Sequence, residues 1–161
     1  MVGFKLASAG ALIALSVAAS PVQAASSPFP AMAGSWSGGG TISMASGEQE
    51  PLRCRATYGV VGSGDNLSLN LRCASASYNF DLSSDVAYRG GAVSGQWTES
   101  SRNAAGTLSG RASGDHVEVA ARGSNFSAGL SMTTRGNRQT ISIRPEGGSD
   151  IRAVSLSLSR R

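Results

Sequence analysis

The sequence predicts an all-β protein, an antiparallel up-and-down barrel of about 8–10 short strands with one disulfide. Polar and apolar residues alternate over short segments, and Gly, Ser, Asn and Asp separate these segments at intervals of roughly 8–12 residues. No segment keeps a helical period over the length of a helix. The two cysteines, Cys54 and Cys73, lie on either side of one of these turns.

The alternating segments are the predicted strands. They span residues 34–44, 52–60, 66–74, 76–83, 92–99, 105–112, 116–122, 126–134, 138–144 and 151–159. We predict a short turn or helix at 86–89 and a turn at 145–148. The run Gly38-Gly39-Gly40 lacks the lysine and the helix that follow a phosphate-binding loop, so we predict a flexible or bulged strand end there.

The two cysteines specify the register of one hairpin, whose turn is Gly-Ser-Gly-Asp at 62–65. Directly opposed antiparallel residues have Cα atoms about 4.5–5.5 Å apart, which overlaps the roughly 4.4–6.8 Å of a disulfide. A slip of one residue would turn one strand inside out. The inner pairs in this register are Cys54–Cys73, Ala56–Leu71, Tyr58–Leu69 and Val60–Leu67.

The first 24 residues have the pattern of a secretory signal peptide. Lys5 precedes an apolar stretch over 6–19, and the small residues Val22 and Ala24 precede the expected cut after Ala24. The apolar stretch is shorter than the roughly 20 residues of a membrane-spanning helix. Because disulfides persist in oxidising compartments, we expect a periplasmic or secreted protein.

After the signal peptide we expect a flexible lead over 25–33, which contains two prolines, and a single barrel domain over 34–161. The net charge is +4, and every basic residue after Lys5 is arginine, which fits a bacterial source. No aromatic residues interleave these arginines, so nucleic acid is not an expected partner. The outer strand faces are too polar for lipid, so we expect no membrane insertion. We expect a monomer.

The inner faces of the predicted strands combine large and small side chains. A barrel of this kind either packs tightly or keeps a cavity for one small ligand. The aromatic residues that we expect to line such a cavity are Trp36, Tyr58, Trp97 and Phe126.

The start of the first predicted strand resembles a known family. Gly34-Ser35-Trp36 is similar to the G-x-W motif that opens lipocalin-type and other calycin-like secreted barrels. The resemblance implies that Trp36 closes one end of the barrel and packs against an arginine near the last strand. Arg160 and Arg152 are both candidates for that arginine.

A second resemblance covers the first half of the barrel domain. Ala33 to Trp36, followed by Cys54 and Cys73, is similar in order to bacterial secreted inhibitors of alkaline metalloproteases. In that family a flexible N-terminal trunk enters the protease cleft. The resemblance implies this role for residues 25–28.

Residues with catalytic chemistry are few. His116 is the only histidine, and alternation places it with Glu118 on an outer strand face, without a third metal ligand at useful spacing. No G-x-S-x-G sequence lies between a strand and a helix. We therefore predict no enzyme activity, no catalytic residues, no metal and no cofactor.

The outer face of the cysteine hairpin carries Arg53, Arg55 and Arg72. The predicted register places Arg55 directly opposite Arg72, and opposed like charges are destabilising. Either carboxylates on a neighbouring strand compensate them or an anionic ligand or partner does. The candidate carboxylates are Asp81, Glu99 and Glu118.

Together these patterns predict a periplasmic or secreted, non-catalytic binding protein that holds a small apolar ligand in the barrel. One alternative is a protein-binding inhibitor of a secreted protease. The other is a structural protein of the cell envelope without a ligand.

Overall fold

The computed structural model describes residues 19–21 and 25–161, so the predicted signal peptide lies almost wholly outside the described residues. Within them, ten strands form one closed antiparallel barrel, in which strands adjacent in sequence pair and the last strand pairs with the first. The strands are β1 Gly34–Met44, β2 Gln49–Val61, β3 Asn66–Ala74, β4 Asn79–Arg89, β5 Ala92–Glu99, β6 Ala104–Ser113, β7 His116–Gly123, β8 Ser127–Arg135, β9 Arg138–Glu146 and β10 Ile151–Arg160. No helix in the described part of the chain is long and apolar enough to cross a membrane.

The all-β prediction and the single disulfide are confirmed, and three predicted segments coincide with β1, β3 and β5. The prediction of a turn or helix at 86–89 was wrong, because these residues continue the alternation of β4 and bury Tyr88 inside the barrel. The turn predicted at 145–148 begins later, since Pro145 and Glu146 still pair with β8.

The cysteine hairpin has the predicted register. Cys54 pairs with Cys73 across β2 and β3, Arg55 pairs with Arg72, and the disulfide joins Cα atoms 4.1 Å apart. Both cysteines are buried on the inner face, where alternation places them. The side-chain period of two therefore accounts for both faces of this hairpin.

The glycine run lies at the seam that closes the barrel. Gly38 and Gly40 occupy the middle of β1, and a Cβ atom at either position would collide with a carbonyl oxygen of β10, that of Ser157 or Ser155. The prediction of a flexible or bulged strand end was wrong, because β1 pairs regularly there with β2 and β10. The irregularity lies farther along, between Ser43 and Met44.

One end of the barrel is closed by a short 3-10 helix, Phe29–Met32. Phe29 is only 1% exposed and meets Tyr88 edge-on, with ring centroids 6.2 Å apart. The Trp36 indole donates a hydrogen bond of 2.8 Å to the carbonyl oxygen of Met32. The structure thus differs from the flexible lead predicted over 25–33, since part of this segment belongs to the core.

An arginine on the last strand holds the closed end together. The Arg160 guanidinium lies over the Trp36 ring, 4.4 Å from its centroid, and donates to the carbonyl oxygens of Ala31 and Ala33. Arg152 instead donates to the carbonyl oxygen of Ala45, at the opposite end. Of the two candidate partners of Trp36, the structure selects Arg160.

We predict that removing the disulfide with Cys54→Ala and Cys73→Ala lowers the free energy of unfolding by about 3 kcal/mol, because the bridge closes a loop that is free in the unfolded chain. The two cysteines are 19 positions apart. Urea denaturation measures the change, and reduced wild-type protein is the control that keeps both side chains. Equal stability of oxidised and reduced wild-type protein would contradict this account.

We also predict that Phe29→Ala lowers the free energy of unfolding by about 3–5 kcal/mol, because it leaves a cavity under the helix. Phe126→Ala is the matched control. Phe126 is 40% exposed at the other end, and its loss should cost about 1 kcal/mol. Thermal and urea denaturation of both variants measure the difference, and similar losses would show that the helix is not part of the core.

Candidate functional site

The barrel interior contains a cavity of about 290 Å³ at the end opposite the 3-10 helix. Leucines from β2, β3, β4, β8 and β10 form much of its wall. Three exposed residues, Arg102, Phe126 and Ser149, also line it, so the cavity opens between the loops that carry them. These three residues define the mouth of the cavity.

A second cavity of about 100 Å³ lies deeper, where Phe29 and Met32 form part of its lining. Leu82, Trp97 and Leu130 line both cavities. These three side chains therefore divide the interior into a larger chamber at the mouth and a smaller one at the closed end.

The four aromatic residues expected in a ligand cavity lie at different depths. Trp97 lines both cavities and meets Phe126 edge-on, with centroids 5.8 Å apart. Phe126 lines the mouth from the loop between β7 and β8, so its predicted place within a strand was wrong. Tyr58 lines the small cavity, and Trp36 lies at the closed end and lines neither cavity.

A polar network crosses the interior near Tyr58. The Tyr58 hydroxyl donates to Gln139 Oε1 at 2.7 Å, and Gln139 Nε2 donates to Thr134 Oγ1 at 3.0 Å. Burial raises the pKa of Tyr58 far above its ordinary value, although the bond to Gln139 acts in the opposite direction, so the phenol stays neutral. The residues predicted to face inward did not include Gln139 or Thr134, although these share the alternation of Ile141 in β9 and Leu130 in β8.

Two charged residues meet beside the mouth. Glu99 is buried and accepts hydrogen bonds from the backbone N–H groups of Asp81, Ser101 and Arg102. Burial acts to raise the pKa of Glu99, but these hydrogen bonds and one from the Ser101 hydroxyl hold it below its ordinary value. Arg102 Nη1 lies 3.5 Å from Glu99 Oε2, and its guanidinium lies over the Phe80 ring at 4.7 Å.

Glu99 is thus not an outer-face partner of the hairpin arginines. It follows Val93, Gly95 and Trp97 on the inner face of β5, so alternation in that strand could have placed it inside. Its carboxylate stabilises the turn between β5 and β6, because it accepts hydrogen bonds from the backbone of Ser101 and Arg102 in that turn. It also ties the turn to β4 through the backbone N–H of Asp81.

The hairpin arginines line a wide groove of about 1120 Å³ on the outer face of β1 to β4. Arg72 forms an ion pair of 3.3 Å with Asp81, its partner across β3 and β4. In the described part of the chain, Arg53 and Arg55 have no carboxylate within 4.0 Å. Arg161 lines the same groove and donates from Nε to Ser37 Oγ at 2.6 Å.

His116 lies on β7 with its Nδ1 atom 3.0 Å from Thr133 Oγ1. Among residues 19–21 and 25–161, no three His, Cys, Asp or Glu side chains are grouped closely enough to hold a metal ion. The hydrogen bond to Thr133 connects the imidazole on β7 to the neighbouring strand β8.

No protein-family model and no curated protein matches the sequence. Two solved structures are similar in fold. Rv2717c from M. tuberculosis is 16% identical, with a TM-score of 0.62 over 84% of this chain and 94% of that one. The S-type phycobiliprotein lyase CPES from Guillardia theta is 13% identical, with a TM-score of 0.55 over 83% of this chain and 89% of that one. At these identities the likeness shows a shared barrel fold.

We predict that Arg55→Thr raises the free energy of unfolding by up to about 1 kcal/mol, because it relieves the opposition of Arg55 and Arg72. The gain should shrink at high salt, which screens exposed charges. Arg89→Thr is the control, because Arg89 is exposed on β4 opposite Ala92 and gains the same β-propensity. Equal gains from both variants, measured by urea denaturation, would show that Asp81 already compensates the pair.

Proposed function

We propose that this protein is a periplasmic or secreted, non-catalytic binding protein that holds one small apolar ligand in the larger cavity of its barrel. The observation that carries the proposal is the 290 Å³ chamber with a mouth at one end and a helix closing the other. Ligand pockets in proteins begin at roughly 300 Å³, so the chamber suits a ligand at the small end of that range.

The lining supports an apolar ligand. Leu71, Leu82 and Leu130 face the chamber, and such surfaces gain free energy when they exchange water for apolar groups. A barrel with ten strands has room for this because its inner face also contains small residues, among them Ala104 and Ala128.

The polar groups at the mouth support binding without catalysis. The Glu99 carboxylate is occupied by backbone N–H groups and by Arg102, and the lowered pKa makes it a poor proton donor at neutral pH. The similarity to a phycobiliprotein lyase extends no further than the fold, so it transfers neither an activity nor a ligand to this chain.

The disulfide supports the proposed compartment, because such bridges persist where the environment is oxidising. The inhibitor alternative needs a free N-terminal trunk. In the structure the Tyr88 hydroxyl donates to the carbonyl oxygen of Ala25 at 2.9 Å, and Phe29, the residue directly after the trunk, is buried. This packing favours the cavity as the binding site.

We predict that Ala104→Phe weakens binding of the hydrocarbon 2-methyl-1-nonene by about tenfold or more, because the added ring fills the chamber. Ala105→Phe is the matched control, since Ala105 is the exposed outer-face neighbour of Ala104 on β6. It should leave the affinity unchanged.

Titrations followed by ¹H–¹⁵N NMR spectra measure both affinities. Native mass spectrometry of protein purified from its own cells should also show one retained small molecule. No binding of the hydrocarbon to wild-type protein, or equal effects of both variants, would contradict the proposal.

A further inference from the structure

One buried polar group in the chamber wall has no hydrogen-bond partner. Trp97 is 5% exposed, and its Nε1–H meets no acceptor within the described ranges. The other indole, that of Trp36, donates to the carbonyl oxygen of Met32. Buried donors are normally paired, because a donor that gives up water without a new partner costs free energy.

The other buried polar side chains show that this interior satisfies its polar groups. Gln139 bonds to Tyr58 and Thr134. Ser84 donates to the carbonyl oxygen of Gln96 at 3.0 Å. Among the buried polar side chains that the structure describes, the unpaired Trp97 nitrogen is therefore an exception, and it lies on the ring that lines both cavities.

From this we infer that the ligand of the larger cavity is a neutral apolar molecule with one hydrogen-bond acceptor, such as a ketone, ester or ether oxygen, which accepts from Trp97 Nε1. This inference rests on the proposed function and names the class of its ligand. The apolar body fills the chamber, and the acceptor supplies the partner that the protein lacks.

The position of the Trp97 ring fits this role. A Cβ atom at Gly123 would lie 3.1 Å from Trp97 Cζ2, so the glycine lets the six-membered ring rest against β7. The nitrogen itself has almost no accessible surface. In the proposed complex the acceptor reaches it when Phe126 moves aside, since Phe126 meets Trp97 edge-on from an exposed position in a loop.

The surroundings favour a neutral acceptor over an anion. Leu82 and Leu130 flank Trp97 in the lining, and an anion there would exchange full hydration for one hydrogen bond. At the mouth, Arg102 is already paired with the Glu99 carboxylate, so an anion that loses its hydration gains no net positive charge there in return. A neutral oxygen meets neither penalty.

The experiment compares 2-nonanone with 2-methyl-1-nonene, two probes of nearly the same shape that differ in the acceptor oxygen. The protein has two tryptophans, so its ¹H–¹⁵N spectrum has two indole signals, and Trp97→Phe assigns them. We expect 2-nonanone to move the Trp97 indole proton downfield and to leave the Trp36 indole unchanged. The hydrocarbon should fill the chamber without the downfield shift.

We expect Trp97→Phe to weaken 2-nonanone binding by about five- to tenfold and hydrocarbon binding by less than about twofold, since it removes the N–H and keeps an aromatic ring. Nonanoate at pH 7 should bind more weakly than 2-nonanone. If Trp97→Phe does not fold, nuclear Overhauser contacts in the wild-type protein assign the two indole signals, and the indole shift of the wild-type protein still decides the matter.

Three results would overturn the inference. Binding of both probes without the downfield shift would show that the indole does not donate, and the proposed function would stand. Tighter binding of nonanoate would show that the ligand class is anionic. Failure of both neutral probes to bind would remove the proposed function together with the inference.

Discussion

The close approach of the first and last strands is the constraint on which the rest of the structure depends. Gly38 and Gly40 let β1 lie against the carbonyl groups of β10, where any side chain would collide. Closure gives each of the ten strands in residues 25–161 two neighbours, so none of these strands has an unpaired edge. The same seam brings Arg160 over Trp36, which fixes the helix at the closed end. The interior chamber exists because this seam is shut.

The two ends of the barrel then differ in kind. At the closed end, aromatic and apolar side chains from the helix, β1 and β10 pack together, and the Trp36 indole bonds to the carbonyl oxygen of Met32. At the mouth, Glu99 and Arg102 form a small charged network beside exposed Phe126. The loops that carry Arg102, Phe126 and Ser149 therefore determine the shape of the mouth.

The sequence was sufficient for features that depend on the side-chain period of a strand. The pairing of Cys54 with Cys73 and of Arg55 with Arg72 followed from alternation on both sides of one turn. It was insufficient where a residue departs from that period. Phe29 belongs to a helix of four residues, too short to show a helical pattern.

The polar interior was also missed, although Gln139 and Glu99 share the inward positions of their apolar neighbours in β9 and β5. A polar side chain at such a position is buried only where it finds a partner, and the Tyr58 partner of Gln139 lies far away in the sequence. The cavity depends on how side chains from many strands fill a shared volume, and alternation within single strands does not determine that.

The seam has a kinetic consequence as well. It joins Ser37 to Arg161, 124 positions away in the chain, whereas the other strand pairings join neighbours in sequence, and closing so long a loop costs more conformational entropy than closing a hairpin. Until β10 arrives, β1 presents an open edge to other chains, so folding of this protein competes with aggregation.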